Sequence, residues 1–280
     1  MQKFNYHSHC NYCDGIESME NMIKGAIEKG LTHYGITSHG PLPFTAEWTM
    51  NPQKVNNYLE EFKSLKSKYK DQIQLFIGLE LDYFTDINPW ETAKIKREDL
   101  DFFVGSVHFL GINHKGERWT VDNTLEEMET GIRDNFNGDT KEAIKRYYQL
   151  IGEMAQNLKP DIIAHIDLIQ KLNQNHYFFT GEEDWYQQGV IDCLEVIRNT
   201  DSIVELNSGG RYRGYTESFY PSPWILREML HRNIKITVNT DAHDIPGIDY
   251  GFEEMMAWLK SEGCQEIYML TQQGWKPIKI

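Results

Sequence analysis

Short apolar runs alternate with longer amphipathic segments along almost the whole chain. The short runs are rich in β-branched and aromatic residues and predict strands, at residues 4–9, 32–37, 74–81, 102–109, 162–166, 202–207, 234–239 and 266–270. The longer segments carry apolar residues at helical spacing and predict helices, at residues 19–29, 52–69, 140–158, 185–199, 223–232 and 251–261. This alternation favours parallel strands that are connected by crossover helices.

Two of the predicted helices begin with recognisable capping residues. Asn51 precedes Pro52, which combines an N-cap with a proline at the first helical position. Asp139 precedes the helix that starts at Thr140, where its carboxylate can accept a free backbone N–H.

The number of strand–helix units favours an α/β barrel of the TIM type, formed by a single domain of residues 1–280. An open doubly wound sheet is the alternative. Polar residues follow almost every predicted strand at its C-terminal end. A barrel places its active site at that end of its strands, so this distribution favours the barrel.

The formal net charge of −14 changes the list of expected partners. An acidic chain lacks the basic stripe of a non-specific nucleic-acid binder, so we expect no nucleic-acid partner. A small anionic substrate remains compatible with the charge, because bound cations can reverse the local field of a site.

The sequence also predicts the location and the oligomeric state of the protein. No apolar signal core follows the first residues, and no stretch approaches the roughly 20 apolar residues of a membrane span, so we expect a cytoplasmic protein without a membrane partner. No apolar helix face stands out as available for contact with another copy of the chain, which favours a monomer.

Cys10 and Cys13 form a C-x-x-C without a second such pair, and we interpret them as reduced thiols.

Histidine and carboxylate residues recur at the ends of the predicted strands. They are His7, His9, Asp14, His39, Glu80, His108, His165, Asp241 and His243. Side chains two residues apart on a strand point to the same face, so His7 and His9 can bind one ion, and Asp241 and His243 repeat the spacing. Imidazole and carboxylate ligands suit zinc, iron and manganese. The pattern predicts a metal site.

Each of these signals is weak when taken alone. A single histidine at a strand end is more often a hydrogen-bonded structural residue than a ligand, and we interpret His33, His114, His176 and His231 in that way. The other six of the ten histidines fall at successive strand ends. Chance placement of all six is improbable, and this combination carries the metal prediction.

The order and spacing of these residues resemble the motif series of the polymerase-and-histidinol-phosphatase (PHP) superfamily from residue 7 to residue 243. The segments 38–43, 78–83 and 105–108 are similar to those of its monofunctional L-histidinol-phosphate phosphatases. The resemblance implies a distorted (β/α)7 TIM-like barrel with a metal site at the C-terminal ends of the strands.

The resemblance also implies a trinuclear centre of divalent zinc, iron or manganese ions. Its three sets of ligands would be His7, His9, Glu80 and Asp241; Asp14, His39 and His243; and Glu80, His108 and His165, with Glu80 bridging two ions. Some members of the superfamily have a histidine one residue after position 14, where this chain has Gly15. The Asp-Gly variant belongs to the family as well, so Asp14 is retained as a ligand.

The implied activity is that of a histidinol-phosphatase in histidine biosynthesis. It would hydrolyse L-histidinol phosphate to L-histidinol and phosphate by attack of a hydroxide that bridges the ions. The leaving oxygen needs a proton, for which Asp167, His243 and Asp241 are the catalytic candidates. The sequence does not decide among the three.

Substrate-binding residues are expected after the sixth strand, in the segment 205–213. The resemblance implies an asparagine, a small residue and a basic residue near the phosphate, and Asn207 and Ser208 fit the first two. Arg211 is the first choice for the basic residue and Arg213 the second, because a guanidinium matches phosphate with paired N–H donors. An ordinary surface arginine paired with an acid is the alternative for each.

Three other functions compete with this interpretation. The nearest is another PHP phosphoesterase that acts on a nucleotide or another small phosphate ester. An amidohydrolase-type barrel is disfavoured, because no lysine lies at a suitable strand end to bridge two metals. A structural zinc module is disfavoured as well, because closed structural sites use four ligands per ion and usually cysteines.

Overall fold

The computed structural model describes residues 2–280, and parallel strands alternate with helices over most of this range. The strands are β1 (Phe4–Asn5), β2 (His33–Ile36), β3 (Gln74–Ile77), β4 (Glu80–Asp82), β5 (Val104–Ser106), β6 (Phe109–Ile112), β7 (Arg118–Thr120), β8 (Ile162–Ile163), β9 (Ile203–Asn207), β10 (Ile236–Asn239), β11 (Glu266–Thr271) and β12 (Gly274–Lys279). The helices are α1 (Met19–Glu28), α2 (Val55–Tyr69), α3 (Pro89–Ala93), α4 (Leu125–Phe136), α5 (Thr140–Asn157), α6 (Asp184–Ile197), α7 (Gly209–Tyr212), α8 (Pro223–His231) and α9 (Phe252–Ser261).

The parallel strands form two sheets that are linked to each other. One sheet has the order β1-β2-β3 and the other has the order β10-β9-β8-β5-β4. Isolated parallel bridges join Ser8 to Ala242 and His39 to Glu80, and so connect β1 to the end of β10 and β2 to β4. We call this circuit of parallel strands the strand ring. Its irregular closure agrees with the predicted distorted barrel.

The predicted strands are present, but most are shorter than the apolar runs. The strand predicted at 74–81 is divided into β3 and β4. At the break, a Cβ atom on Gly78 would lie 2.8 Å from Cγ2 of Thr37, so the close approach of two strands requires glycine. The strand predicted at 266–270 is β11, which pairs antiparallel with β12 and does not join the ring.

The sequence analysis missed the region between β5 and α5. There the chain forms the antiparallel hairpin of β6 and β7, followed by α4. The two predicted N-caps are confirmed: the side chain of Asn51 accepts a hydrogen bond from the backbone N–H of Gln53, and that of Asp139 accepts one from Glu142. Pro52 begins a short 3-10 helix that leads directly into α2.

The core lies between the strand ring and the helices around it. One buried cluster contains residues of α4, α5, α6, α8 and α9, and a second contains residues of α1 and α2. Among residues 2–280, no helix combines the length and apolarity that a membrane crossing would need. The C-terminal ends of the ring strands carry most of the buried polar residues, including seven of the nine predicted ligands.

Candidate metal centre

The nine predicted ligands lie together at the C-terminal ends of the ring strands, in three overlapping groups. The inner group is His7, His9, Glu80 and Asp241, the lateral group is Glu80, His108 and His165, and the outer group is His9, Asp14, His39 and His243. Within each group, one potential ligand atom from every residue lies within 4.8 Å of the others. The groups match the three predicted sets, except that His9 belongs to two of them.

Glu80 connects the groups through its two carboxylate oxygens. Oε2 lies 3.0 Å from Nε2 of His7 and 3.0 Å from Nδ1 of His39. Oε1 faces the lateral group, 3.3 Å from Nε2 of His165 and 3.7 Å from Nε2 of His108. The residue is only 1% exposed, so both oxygens face the interior of the site, where metal ions would bind, and hardly contact solvent.

Several of these buried atoms lack a hydrogen-bonding partner, although other polar atoms are close. Nε2 of His9, Nδ1 of His39 and Oε1 of Glu80 form no hydrogen bond, yet Nε2 of His9 is 3.1 Å from Oδ1 of Asp241. Two ligands of a tetrahedral zinc ion, each about 2.1 Å from it, are about 3.4 Å apart. Atoms that converge at such distances without hydrogen-bond geometry fit a divalent cation, and the residues of the site therefore suit one.

The ionisation states of Glu80 and His9 also suit a bound cation. Although burial opposes it, His39 and His7 keep the pKa of the Glu80 carboxyl well below its usual value, so this group is ionised. Burial, together with the charges of His243 and His39, lowers the pKa of His9 to about 3, so its imidazole is neutral. An ionised carboxylate and a neutral imidazole are the forms that bind metal ions.

Two buried carboxylates contact the Nδ1 atoms of two predicted ligand histidines and orient their rings. Oε2 of Glu205 lies 3.0 Å from Nδ1 of His7, and its Oε1 accepts the backbone N–H of His165 at 2.9 Å. Oδ1 of Asp82 lies 2.8 Å from Nδ1 of His108. A partner on Nδ1 leaves Nε2 free to bind a metal, and such contacts tune metal sites.

Sequence reasoning gave no role to Glu205. Glu205 is fully buried and also accepts hydrogen bonds from the side-chain amides of Asn207 at 2.6 Å and Asn239 at 2.9 Å. One available signal was the charge of Glu205 between the apolar residues Val204 and Leu206 of strand β9, because an isolated buried carboxylate requires partners.

The outer group is more open to solvent than the other two. The Asp14 side chain is 35% exposed, and its Oδ1 lies 3.3 Å from Nε2 of His243. A Cβ atom at Gly15 would lie 2.4 Å from the backbone nitrogen of Cys10, so a histidine at that position would require the backbone to move. This contact explains why Asp14, and not its neighbour, faces the group.

The two candidate arginines lie in different surroundings. The Arg211 guanidinium pairs with Oε1 of Glu254 at 2.6 Å and lies 4.7 Å from the ring centroid of Phe219, away from all predicted ligands. Arg213 instead donates to Oδ2 of Asp241 at 2.6 Å and to its carbonyl oxygen at 2.8 Å. Arg213 is therefore the arginine that contacts a predicted ligand, and phosphate binding by either arginine stays a prediction.

Asn207 and Ser208 have hydrogen-bonding partners within the protein. Both residues are fully buried. Besides its bond to Glu205, Asn207 accepts the backbone N–H of Gly209 at 2.7 Å, and the Ser208 hydroxyl donates to the carbonyl of Tyr250 at 2.7 Å. These contacts hold the loop after β9 in position, and phosphate binding by Asn207 and Ser208 stays a prediction.

Asp167 lies beside the lateral group, two residues after His165. It is 1% exposed; its Oδ2 accepts the backbone N–H of Ser222 at 2.8 Å, and its Oδ1 has no hydrogen-bonding partner. Burial raises the pKa of this carboxyl to about 6. Of the three proton-donor candidates, Asp167 alone lies outside the three ligand groups, since Asp241 and His243 belong to them.

One further ion pair near the cluster escaped the sequence analysis. Nζ of Lys171 pairs with Oδ2 of Asp122 at 3.0 Å. Burial opposes ionisation of Asp122, but the charges of Lys171, His108 and His165 lower the pKa of its carboxyl, which associates the pair with the lateral group. No periodicity in the sequence connects positions so far apart in the chain.

Comparison with known proteins gives this geometry a context. The profile of the PHP domain matches residues 5–209 of this chain. The histidinol-phosphatase of Bacillus subtilis strain 168 is 25% identical over 273 residues, which cover 91% of this chain and 99% of that protein. The match to the PHP profile spans the predicted ligands from His7 to His165.

Solved structures share the fold. The histidinol phosphate phosphatase of Lactococcus lactis, crystallised with zinc, L-histidinol and phosphate, aligns over 98% of this chain and 99% of its own, with a TM-score of 0.77 and 20% identity. A Listeria monocytogenes protein assigned as a histidinol phosphatase gives a TM-score of 0.80 and 22% identity over 90% of this chain and 99% of its own. These similarities confirm the predicted α/β fold class.

Proposed function

The chain belongs to the PHP domain family, and on that premise we propose that it is a metal-dependent phosphomonoesterase that hydrolyses L-histidinol phosphate to L-histidinol and phosphate. This reaction would place it in histidine biosynthesis. The observation that carries the proposal is the set of three ligand groups joined by Glu80 and His9. Relatives named histidinol-phosphatase, matched over nearly their whole length, support the choice of substrate.

We assign a trinuclear centre of zinc, iron or manganese to the three groups. The inner ion would be held by His7, His9, Glu80 and Asp241, the lateral ion by Glu80, His108 and His165, and the outer ion by Asp14, His39 and His243, with His9 adjacent. When bound, such ions neutralise charge on the phosphoryl oxygens and lower the pKa of a coordinated water.

Two residues beside the cluster would bind the phosphate and supply the proton. Arg213 would hold a phosphate oxygen, because its guanidinium carries five N–H donors and only part of them is used by Asp241. As water adds to phosphorus, the bond between phosphorus and the ester oxygen breaks, and that oxygen takes up a proton. Asp167 would supply the proton from Oδ1, the buried oxygen without a protein partner.

The proposal is tested by phosphate release from a panel of esters. The protein is reconstituted with zinc, with manganese or with iron, and assayed with L-histidinol phosphate, nucleoside monophosphates and 4-nitrophenyl phosphate. We expect the highest kcat/KM for L-histidinol phosphate and no release after chelation. Metal analysis should show the three ions per chain that the ligand groups suggest.

The panel also separates the alternatives. Turnover of nucleotides without turnover of L-histidinol phosphate would replace the proposed substrate while leaving the metal centre intact. Full activity in a chelated protein that retains no ions would remove the metal-dependent mechanism itself.

A further inference from the structure

The side chain of Cys13 contacts His9, the histidine that belongs to both the inner and the outer group. Its Sγ lies 3.5 Å from Nδ1 of His9 and donates to the carbonyl oxygen of Cys10, also at 3.5 Å. Both cysteines are free thiols, and Cys13 belongs to none of the three ligand groups. The sulfur therefore contacts a predicted ligand without being a ligand itself.

The two ring nitrogens of His9 have different surroundings. Nε2 is buried without a hydrogen bond, 3.1 Å from Oδ1 of Asp241 and 3.4 Å from Oε2 of Glu80. A nitrogen that binds an ion uses its lone pair, so the proton of the neutral ring must then be on Nδ1. The sulfur of Cys13 is the acceptor that lies beside this proton, and a thiol sulfur can accept a weak hydrogen bond.

Backbone hydrogen bonds hold the sulfur in this place. The N–H of Cys13 donates to the carbonyl oxygen of Cys10 at 3.0 Å, which closes a turn after His9. Farther along the same segment, the N–H of Ile16 donates to the carbonyl oxygen of His243 at 2.8 Å. The segment is thus attached at both ends to predicted ligands, and its path sets the position of the thiol.

The orientation of the His9 ring matters for its neighbours. The ring stacks on that of His243, with centroids 4.1 Å apart and an interplanar angle of 16°. The ring of His39 lies on its other contact, with centroids 4.3 Å apart. Because both neighbours are predicted ligands of the outer ion, a rotation of His9 would disturb the outer group as well as the inner one.

Two other ligand histidines have a carboxylate as the partner of Nδ1. Glu205 contacts His7 and Asp82 contacts His108, whereas His9 has a thiol. Partners of this kind set the tautomer and the ring orientation of histidines that bind metals. A thiol that keeps its proton is neutral, so it can orient the ring without adding another negative charge beside the cluster.

We infer that Cys13 is a positioning residue of the metal centre, whose sulfur accepts the Nδ1 proton of His9 and directs Nε2 towards the ion of the inner group. The inference rests on the metal centre of the proposed function. It gives one cysteine of the C-x-x-C a role that requires the reduced thiol.

The test is a double-mutant cycle in which zinc affinity is measured by competition with a chelator. The four proteins are the wild type, Cys13→Ala, His9→Gln and the double variant. We expect Cys13→Ala to weaken zinc binding by about tenfold in the wild-type background, because the His9 ring loses its partner. In the His9→Gln background the same change should alter the remaining affinity by less than about twofold, since no ring is left to position.

Cys193→Ala is the matched control. Cys193 is a buried cysteine of α6 that packs in the core cluster and belongs to none of the ligand groups. Its replacement should leave zinc affinity unchanged in both backgrounds. Thermal unfolding of the metal-free variants should show that each of them is folded.

The outcomes separate this inference from the proposed function. A wild-type protein that binds no zinc overturns the proposed metal centre, and this inference with it. A wild-type protein that binds zinc overturns the inference alone in either of two cases. In the first, Cys13→Ala leaves the affinity unchanged. In the second, it lowers the affinity by the same factor with and without His9, because the thiol would then act through the packing of its segment.

Discussion

The inner and outer sides of the metal cluster are built differently. On the inner side, His7 and Glu80 have fully buried side chains. On the outer side, the side chains of Asp14 and His243 are 35% and 22% exposed. Both sides contain histidine and carboxylate ligands at similar spacing, so the difference lies in what surrounds the ligands.

The inner group is supported by a buried hydrogen-bond network. Glu80 lies in β4, and Glu205 in β9 holds His7. Asp14 and His243 of the outer group lie in loops that solvent reaches. Buried, hydrogen-bonded ligands are preorganised more strongly than exposed ones, so we expect the inner ion to bind more tightly than the outer one.

Replacement of the bridging carboxylate should have the largest effect. In Glu80→Ala, the inner and lateral groups both lose a ligand, so we expect more than one ion per chain to be lost and phosphate release to fall to the level of the chelated protein. Metal analysis and steady-state kinetics measure this. A variant that retains all its ions would show that the groups do not depend on Glu80.

Asp167→Asn should come next, since it removes the proposed proton donor without removing a ligand. We expect kcat for L-histidinol phosphate to fall by about 10²- to 10⁴-fold, the usual contribution of general acid catalysis. 4-Nitrophenyl phosphate has a leaving group that needs no proton, so its kcat should fall much less. Equal losses for both esters would contradict the assignment.

Glu205→Gln tests whether the contact between Glu205 and His7 stabilises metal binding at the inner group. A neutral amide still fills the space but binds the His7 ring less strongly, so we expect metal affinity to fall by about 10- to 100-fold. Competition with a chelator measures the affinity.

The matched control for Glu205 is Thr237→Val. Thr237 is the register partner of Glu205 on β10 and is buried with an unpartnered hydroxyl. This change should leave metal affinity intact. Equal losses in both variants would indicate a general packing defect and would contradict a specific role for Glu205.

Asp14→Asn should affect the outer side only. We expect loss of the outer ion and a rise in KM, while the inner and lateral ions are retained, because Asp14 belongs to the outer group alone. Metal titration that resolves successive ions would detect this. Simultaneous release of all ions would show that the outer ion does not bind independently of the others, contrary to the difference in burial between the two sides.

Arg211→Ala should have the smallest effect. Arg211 forms an ion pair with the exposed residue Glu254, and pairs of this kind contribute at most about 1 kcal/mol to stability. We expect KM to remain unchanged, whereas Arg213→Ala should raise it. A large rise in KM for Arg211→Ala alone would restore the order that the sequence suggested.

The sequence alone determined much of the strand ring and which residues would gather in the three predicted ligand groups. Apolar runs located the strands, and Asn51 and Asp139 marked helix starts, because these signals act between residues that are close in the chain. The ligands were recognisable because histidine and aspartate residues recur at strand ends, and the ends of parallel strands meet at one face of a barrel.

Only the tertiary structure decided how these residues are combined. It placed His9 in two groups, put Glu205 behind His7, brought Arg213 instead of Arg211 to the cluster, and paired β11 with β12 outside the ring. Each of these outcomes depends on the path of a loop or on contacts between strands distant in sequence. Local periodicity carries no information about such contacts, whereas packing and hydrogen bonding across the ring select one arrangement.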